Sequence, residues 1–277
     1  MTLLKRSITT IVGLPLVILI VYLGGVLLLV SCALFALAGL REFYLAFSKT
    51  DKRIHIIGYV ATVAYFGAVY ASVFVFGEAY WLLIILTLFI IMVKLCLVLF
   101  YRKLPLHDCI STIYGFFYVP FMMSFIVLVR EHPLGQYFVW LIFTSSFGCD
   151  TFAYITGSLF GKNKLKNSPS PSKSYEGLVG GIIGATLIGF LYGFIISQIA
   201  AYEIAWLIRI SAIISFFGAT FSIVGDLAAS AIKRFCEIKD FGNIFPGHGG
   251  VMDRVDSIIT VAPIVYMVMN VMIWLVV

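Results

Sequence analysis

Charge is what this chain has least of. Asp, Glu, Lys and Arg make up 12% of 277 residues, against about 25% in an ordinary soluble domain. With 62% hydrophobic residues and a mean hydropathy of +1.08, that scarcity excludes a water-soluble globular fold, and a disordered or fibrous chain with it. Cysteine is sparse and unpatterned. Cys32, Cys96, Cys109, Cys149 and Cys236 are odd in number and show no CxxC spacing, so they read as small buried hydrophobes, not a disulfide framework or zinc cluster. No internal repeat is visible, so the inverted-repeat mark of many secondary transporters is missing. No small-x-small cleavage site ends the first apolar run, which follows Lys5 and Arg6. That run is expected to be a retained first span with a signal-anchor role.

What is there is apolar sequence in lengths of about 20 residues, the length that crosses a bilayer as helix. Spans are expected at 8–24, 27–46, 55–76, 79–100, 109–129, 137–160, 178–200, 204–229 and 256–276. The fold class is an all-α polytopic membrane protein with about nine transmembrane helices and no room for a separate soluble domain. Residues 1–135 carry five spans. Residues 136–277 form the expected catalytic region, with cytoplasmic loops 161–177 and 230–255. Gly24–Gly25 separates the first two spans thinly, and one long broken span is the alternative.

Basic residues decide between the two. They cluster at Lys5/Arg6, at Arg41, Lys49, Lys52 and Arg53, at Arg102/Lys103, at Lys162, Lys164, Lys166 and Lys173, and at Lys233, Arg234, Lys239 and Arg254. With nine spans, these 16 of 19 Lys and Arg residues lie on one side. The positive-inside rule makes that side cytoplasmic, with the N-terminus in and the C-terminus out. Lys94 and Arg209 lie near span ends, where a long side chain reaches the interface. The net charge of +6 fits membrane orientation and an anionic substrate. No nucleic-acid partner is expected.

Ionised groups inside a span cost roughly 2.5–3.5 kcal/mol each on the lenient insertion scale. Three acids are read as lying in or at the edge of spans: Asp150, Asp226 and, just before the last span, Asp253. On the expected topology all three sit in the cytoplasmic third, at the depth of the two richest basic loops. Carboxylates among cations suit a hard divalent ion and a phosphate group. Three separately paired structural acids are the alternative. From Gly225 to Asp256 the chain reads GDLAASAIKRFCEIKDFGNIFPGHGGVMDRVD. On a helix, Asp226, Ser230, Lys233 and Arg234 share one face, a poor surface to offer lipid. Gly242–Gly250 then reads as a loop whose N–H groups could approach an anion. Asp256 has a plain alternative as a helix-capping acid. The second polar island, Gly161–Gly177 (GKNKLKNSPSPSKSYEG), lacks apolar periodicity and reads as a loop. Its Lys and Ser donors suit a polyphosphate, with a merely basic inner loop as the alternative.

Ser230–Asp256 resembles the signature of the phosphatidate cytidylyltransferases, or CDP-diacylglycerol synthases. The resemblance is carried by Ser230, Ile232, Lys233, Arg234, Lys239, Asp240, Gly242, Phe245, Pro246, His248, Gly249, Gly250, Val251, Asp253, Arg254, Val255 and Asp256. Asp150–Lys162 (DTFAYITGSLFGK) and Ser170–Gly177 (SPSKSYEG) resemble the family too, although Ser172 stands where the family usually has a second Lys. The likeness is strong over roughly 140–260; the first half matches only in being apolar and multi-spanning.

The resemblance implies a membrane nucleotidyltransferase of phospholipid biosynthesis. CTP and phosphatidic acid would give CDP-diacylglycerol and pyrophosphate with Mg2+, and K+ is carried as a candidate second, monovalent cation. Asp226 and Asp253 match the family's metal-binding acids. Asp226, Lys233, Arg234, Lys239, His248 and Asp253 are expected to be catalytic. Asp150, Ser170, Lys173, Ser174, Ser230, Gly249, Gly250 and Arg254 are expected to bind substrate. Membrane lipids are partners, a homodimer is a candidate assembly, and the expected location is a bacterial inner membrane with the site facing the cytoplasm. The rivals are an ion-coupled transporter and a CTP-using lipid kinase, the first opposed by polar residues clustered on one face of the membrane.

Overall fold

The computed structural model describes residues 2–47, 54–78, 80–100, 105–199, 204–244 and 249–275, with the side chains of 2–12 and 204 outside that description. Among these residues the chain is built of helices and loops. In a hydrocarbon medium a helix satisfies every backbone N–H and C=O within its own segment, which an apolar run of this length requires. The helices are α1 (Thr2–Leu23), α2 (Gly25–Phe47), α3 (His55–Tyr70), α4 (Tyr80–Leu99), α5 (Leu106–Phe116), α6 (Met122–Arg130), α7 (Gly135–Phe160), α8 (Tyr175–Ile199), α9 (Ile204–Phe235) and α10 (Met252–Trp274). π-helical turns at Ala71–Phe76 and Phe117–Phe121 extend α3 and join α5 to α6. Pro120, which has no N–H to donate, lies in the second.

Among the described residues, eight helical segments are long and apolar enough to cross a membrane, α5 and α6 counting as one. This is an integral membrane protein of the all-α polytopic class. The first expected span, 8–24, lies on α1, whose Gly13–Leu23 stretch is a shorter apolar helix. Gly24 is non-helical, and both Gly24 (φ 64°) and Gly25 (φ 60°) take left-handed backbone. That conformation is easy for glycine and makes two helices of one apolar run. Other boundaries move. The eighth expected span, 204–229, continues as helix to Phe235, and the last begins at Met252 instead of 256. Asp253, expected just before the last span, is therefore in the first turn of α10.

The chain forms two compact units. One comprises Met1–Leu128 with Cys236–Arg254; the other comprises Val129–Phe235 with Val255–Val277. The segment 236–254, expected to belong with the C-terminal region, thus groups with the N-terminal helices.

In the first unit Tyr44 of α2 stacks on His55 of α3 at 4.2 Å between ring centroids and donates its hydroxyl to the Thr112 carbonyl of α5 at 3.0 Å. Phe43, Tyr65 and Phe116 are fully buried around them. In the second unit, small residues bring the helices together. Gly181 of α8 faces Cys149 of α7, Gly218 of α9 faces Ser145 of α7, and Gly225 of α9 faces Thr260 of α10. In a membrane, close backbone approach at small residues replaces the hydrophobic drive that associates helices in water.

Candidate active site

The polar island 161–177 is more ordered than its composition suggests. Lys164 and Ser174 form an isolated antiparallel bridge. The Leu165 N–H donates to the Lys173 carbonyl at 2.9 Å, and the Tyr175 N–H to the Asn163 carbonyl at 3.0 Å. The Glu176 carboxylate accepts the Asn163 amide from both backbone (3.1 Å) and side chain (2.7 Å). Ser174, only 3% exposed, turns its hydroxyl to the Gly177 N–H at 3.2 Å. It thereby satisfies one orphan donor at the start of α8. The sequence reading took Ser174 only as a phosphate donor; a serine just before the apolar run of α8 is also an N-cap signal. Ser170 is half-buried in the same loop, and its N–H faces the Ser168 hydroxyl at 3.3 Å.

This clasp places Lys173. Its ammonium stands 2.5 Å from Asp226 Oδ2, with side-chain exposures of 26% and 30%. The Lys173 cation and the Asp226 carboxylate also act electrostatically on Asp150 of α7. Asp150 is exposed and makes no ion pair with Lys173, so the direct contact in the second unit is between Lys173 and Asp226. Asp226, Ser230, Lys233 and Arg234 all lie on α9, as the face reading requires. Asp226, Ser230 and Lys233 are half-buried and Arg234 is exposed. Lys233 and Arg234 fall in the last turn of α9, where the negative helix end favours cations.

The other polar cluster lies in the first unit. Asp253 Oδ2 accepts the N–H groups of Phe241 (2.9 Å) and Gly250 (3.0 Å). Gly249, with φ +83°, makes the left-handed turn that precedes it. The Asp256 carboxylate accepts the neighbouring Ser257 N–H at 2.8 Å. Lys239 and Arg254 are exposed. His248 lies outside the described residues, as do Phe245 and Pro246.

An acid that the sequence reading passed over stands beside Asp253. Glu42, on α2, is 2% exposed. Its Oε1 accepts the Val251 N–H at 3.0 Å and its Oε2 the Met252 N–H at 2.9 Å. A Cβ on Gly242 or Gly250 would overlap this carboxylate. Of the N–H groups in Gly242–Gly250 that the sequence offers to an external anion, that of Gly250 is taken by Asp253, and Glu42 takes the two that follow. The signal was an acid inside an apolar span, which the count of three acids omitted.

Among the described residues no group of three or more His, Cys, Asp or Glu side chains could hold a metal. Mg2+ commonly binds through one or two carboxylates, with the rest from water and substrate phosphates. The half-exposed Asp226 carboxylate, already facing a cation, is a hard oxygen donor that fits such a role.

An all-α membrane protein with carboxylate–lysine pairing at a helix end is the class that fold and site define. A sequence model described as "Cytidylyltransferase family" matches residues 4–272. The chain belongs to that family, and the match runs through the first half as well as 140–260. It is 36% identical over 163 residues to the phosphatidate cytidylyltransferase of Thermotoga maritima, covering 56% of this chain and 57% of that one. It is 39% identical over 155 residues to that of Rickettsia bellii (56% and 67%) and 37% identical over 147 residues to that of Bacillus subtilis (52% and 52%). The matched region spans about half to two thirds of each relative.

Proposed function

We propose that this protein transfers the cytidylyl group of CTP to phosphatidic acid, releasing pyrophosphate and forming CDP-diacylglycerol for phospholipid synthesis. The observation that carries the reading is the Lys173–Asp226 pair at the polar end of α9, set in a chain similar to proteins named phosphatidate cytidylyltransferase.

The obstacle to this reaction is electrostatic. A phosphomonoester is largely dianionic near pH 7, by analogy with phosphorylated side chains of pKa about 6, so phosphatidic acid needs no strong base. One of its phosphate oxygens attacks the α-phosphorus of CTP, the bond from that phosphorus to the bridging oxygen breaks, and pyrophosphate leaves with the electron pair. Two polyanions must meet, and most phosphoryl-transfer catalysis is charge neutralisation and alignment. Lys173, Lys233, Arg234, Lys239 and Arg254 supply fixed positive charge. Ser170 and Ser230 donate to phosphate oxygens, Asp150 is assigned to substrate binding, and Ser174 holds the loop that carries Lys173. Gly249 and Gly250 shape the approach to the lipid phosphate. Asp226 and Asp253 are each assigned to Mg2+, which when bound neutralises phosphate charge and stabilises departing pyrophosphate. K+ is the proposed second cation. His248 is assigned to orienting the leaving group.

The protein is placed in the bacterial inner membrane, N-terminus in and C-terminus out, with the site facing the cytoplasm, where CTP and lipid head group meet; a homodimer is the proposed assembly. Purified protein with labelled CTP, phosphatidic acid and Mg2+ is expected to yield a lipid-soluble cytidine product and pyrophosphate. Phosphorylated lipid with CDP would make it a lipid kinase, and ion-coupled uptake in vesicles without CTP turnover would make it a transporter.

A further inference from the structure

We propose that Glu42 is a positioning residue of the active site, its carboxylate holding the start of α10 against α2 and so fixing where Asp253 stands. This rests on the reading of Asp253 as an active-site acid.

Three observations carry it. First, Glu42 is 2% exposed in an apolar helix, and a buried carboxylate is costly unless its hydrogen bonds are made. Here both oxygens are used, one on Val251 N–H and one on Met252 N–H, about 210 residues along the chain. Second, those donors are orphan N–H groups at the start of α10, where the helix end is positive. The adjoining Gly250 N–H goes to Asp253 Oδ2, so successive N–H groups are shared between the two acids. Displacing the Glu42 end of this set displaces the Asp253 end. Third, Gly242 and Gly250 leave room for the Glu42 carboxylate where any side chain would collide with it. The signature's glycines on either side of the undescribed stretch thus accommodate an acid from α2.

Glu42 acts through the loop, and its removal should change how Asp253 serves the reaction as well as how firmly the protein folds.

The test uses the full chain in lipid nanodiscs, comparing wild type, Glu42→Gln, Glu42→Asp and Gly242→Ala. Gln keeps the shape but turns one acceptor into a donor facing an N–H. Gly242→Ala leaves Glu42 in place and pushes on it from the loop, so it reports on the same contact if Glu42→Gln fails to fold. Amide exchange is expected to quicken roughly tenfold or more at 249–252 in Glu42→Gln and Gly242→Ala, while the rest of α10 keeps its protection. The Mg2+ concentration for half-maximal CTP turnover is expected to rise roughly tenfold, in line with losing a group that orients a metal ligand, with Glu42→Asp in between. Unchanged exchange at 249–252 overturns the proposal, and so does a loop that opens while the Mg2+ midpoint stays put. A wild-type protein that makes no lipid-linked cytidine refutes the functional reading instead, and exchange on the same proteins then decides the clamp by itself.

Discussion

Lys173 and Asp226, 53 residues apart in sequence, meet at 2.5 Å between ammonium and carboxylate. Both side chains are about a quarter to a third exposed, so the pair contributes little to stability, about 0–1 kcal/mol on the scale of solvent-accessible ion pairs. In the proposed reaction the pair serves the substrate phosphates.

Asp226→Asn and Lys173→Gln should therefore leave the unfolding midpoint nearly unchanged while lowering turnover by about a hundredfold or more, the scale of losing one stabilising group near reacting phosphates. The double variant should lose much less than the product of the single losses, because the two residues share one interaction. Full activity of Asp226→Asn at ordinary Mg2+ would remove that residue from the site.

Asp253 and Asp256 separate by their hydrogen bonds. Asp253→Asn weakens two acceptor contacts, to Phe241 and Gly250, and removes the charge that a hard cation requires. Its turnover should vanish while the protein remains inserted. Asp256→Asn, which disturbs a contact to Ser257, should retain a substantial rate. Steady-state turnover of both variants against their amount in the membrane decides it.

Ser174→Ala removes the N-cap of α8 and should cost roughly 1 kcal/mol, within the 0.5–2 kcal/mol range of such caps. Gly161→Ala should cost more, because the new Cβ would meet the Gly157 carbonyl and lie 2.6 Å from Ser174 Oγ. Thermal unfolding in detergent should place wild type above Ser174→Ala and Ser174→Ala above Gly161→Ala. The reverse order of the two variants would mean that the Gly161 turn relaxes easily.

If the phosphatidic acid dianion is the nucleophile, fixed cations matter more than His248. Lys233→Ala or Arg234→Ala should lower the rate by about a hundredfold, and His248→Gln by less. The acidic limb of the pH–rate profile follows protonation of the lipid phosphate, with activity falling as pH drops through about 6, and should survive in His248→Gln. Loss of that limb in the His248 variant would establish the histidine as an acid–base catalyst.

Sidedness can be read by labelling. A single cysteine at Lys166, in the 161–177 loop, on a cysteine-free background should react in intact cells only with a membrane-permeant reagent. Reaction with an impermeant external reagent would reverse the topology derived from the 16 basic residues.

Hydropathy alone determined the architecture, because a lipid-spanning backbone has few ways to satisfy its hydrogen bonds and an apolar run of this length becomes a helix. The α9 face of Asp226, Ser230, Lys233 and Arg234 was legible for a similar reason, since helical spacing is a local property. Tertiary structure decided what each polar group meets. The Lys173–Asp226 pair depends on a clasp between Asn163 and Glu176 that composition does not encode as a pattern. The start of α10 at Met252 depends on Glu42, an acid on a helix more than 200 residues earlier. Periodicity tells which face a residue occupies; only the packed chain tells which distant donor a buried carboxylate will find.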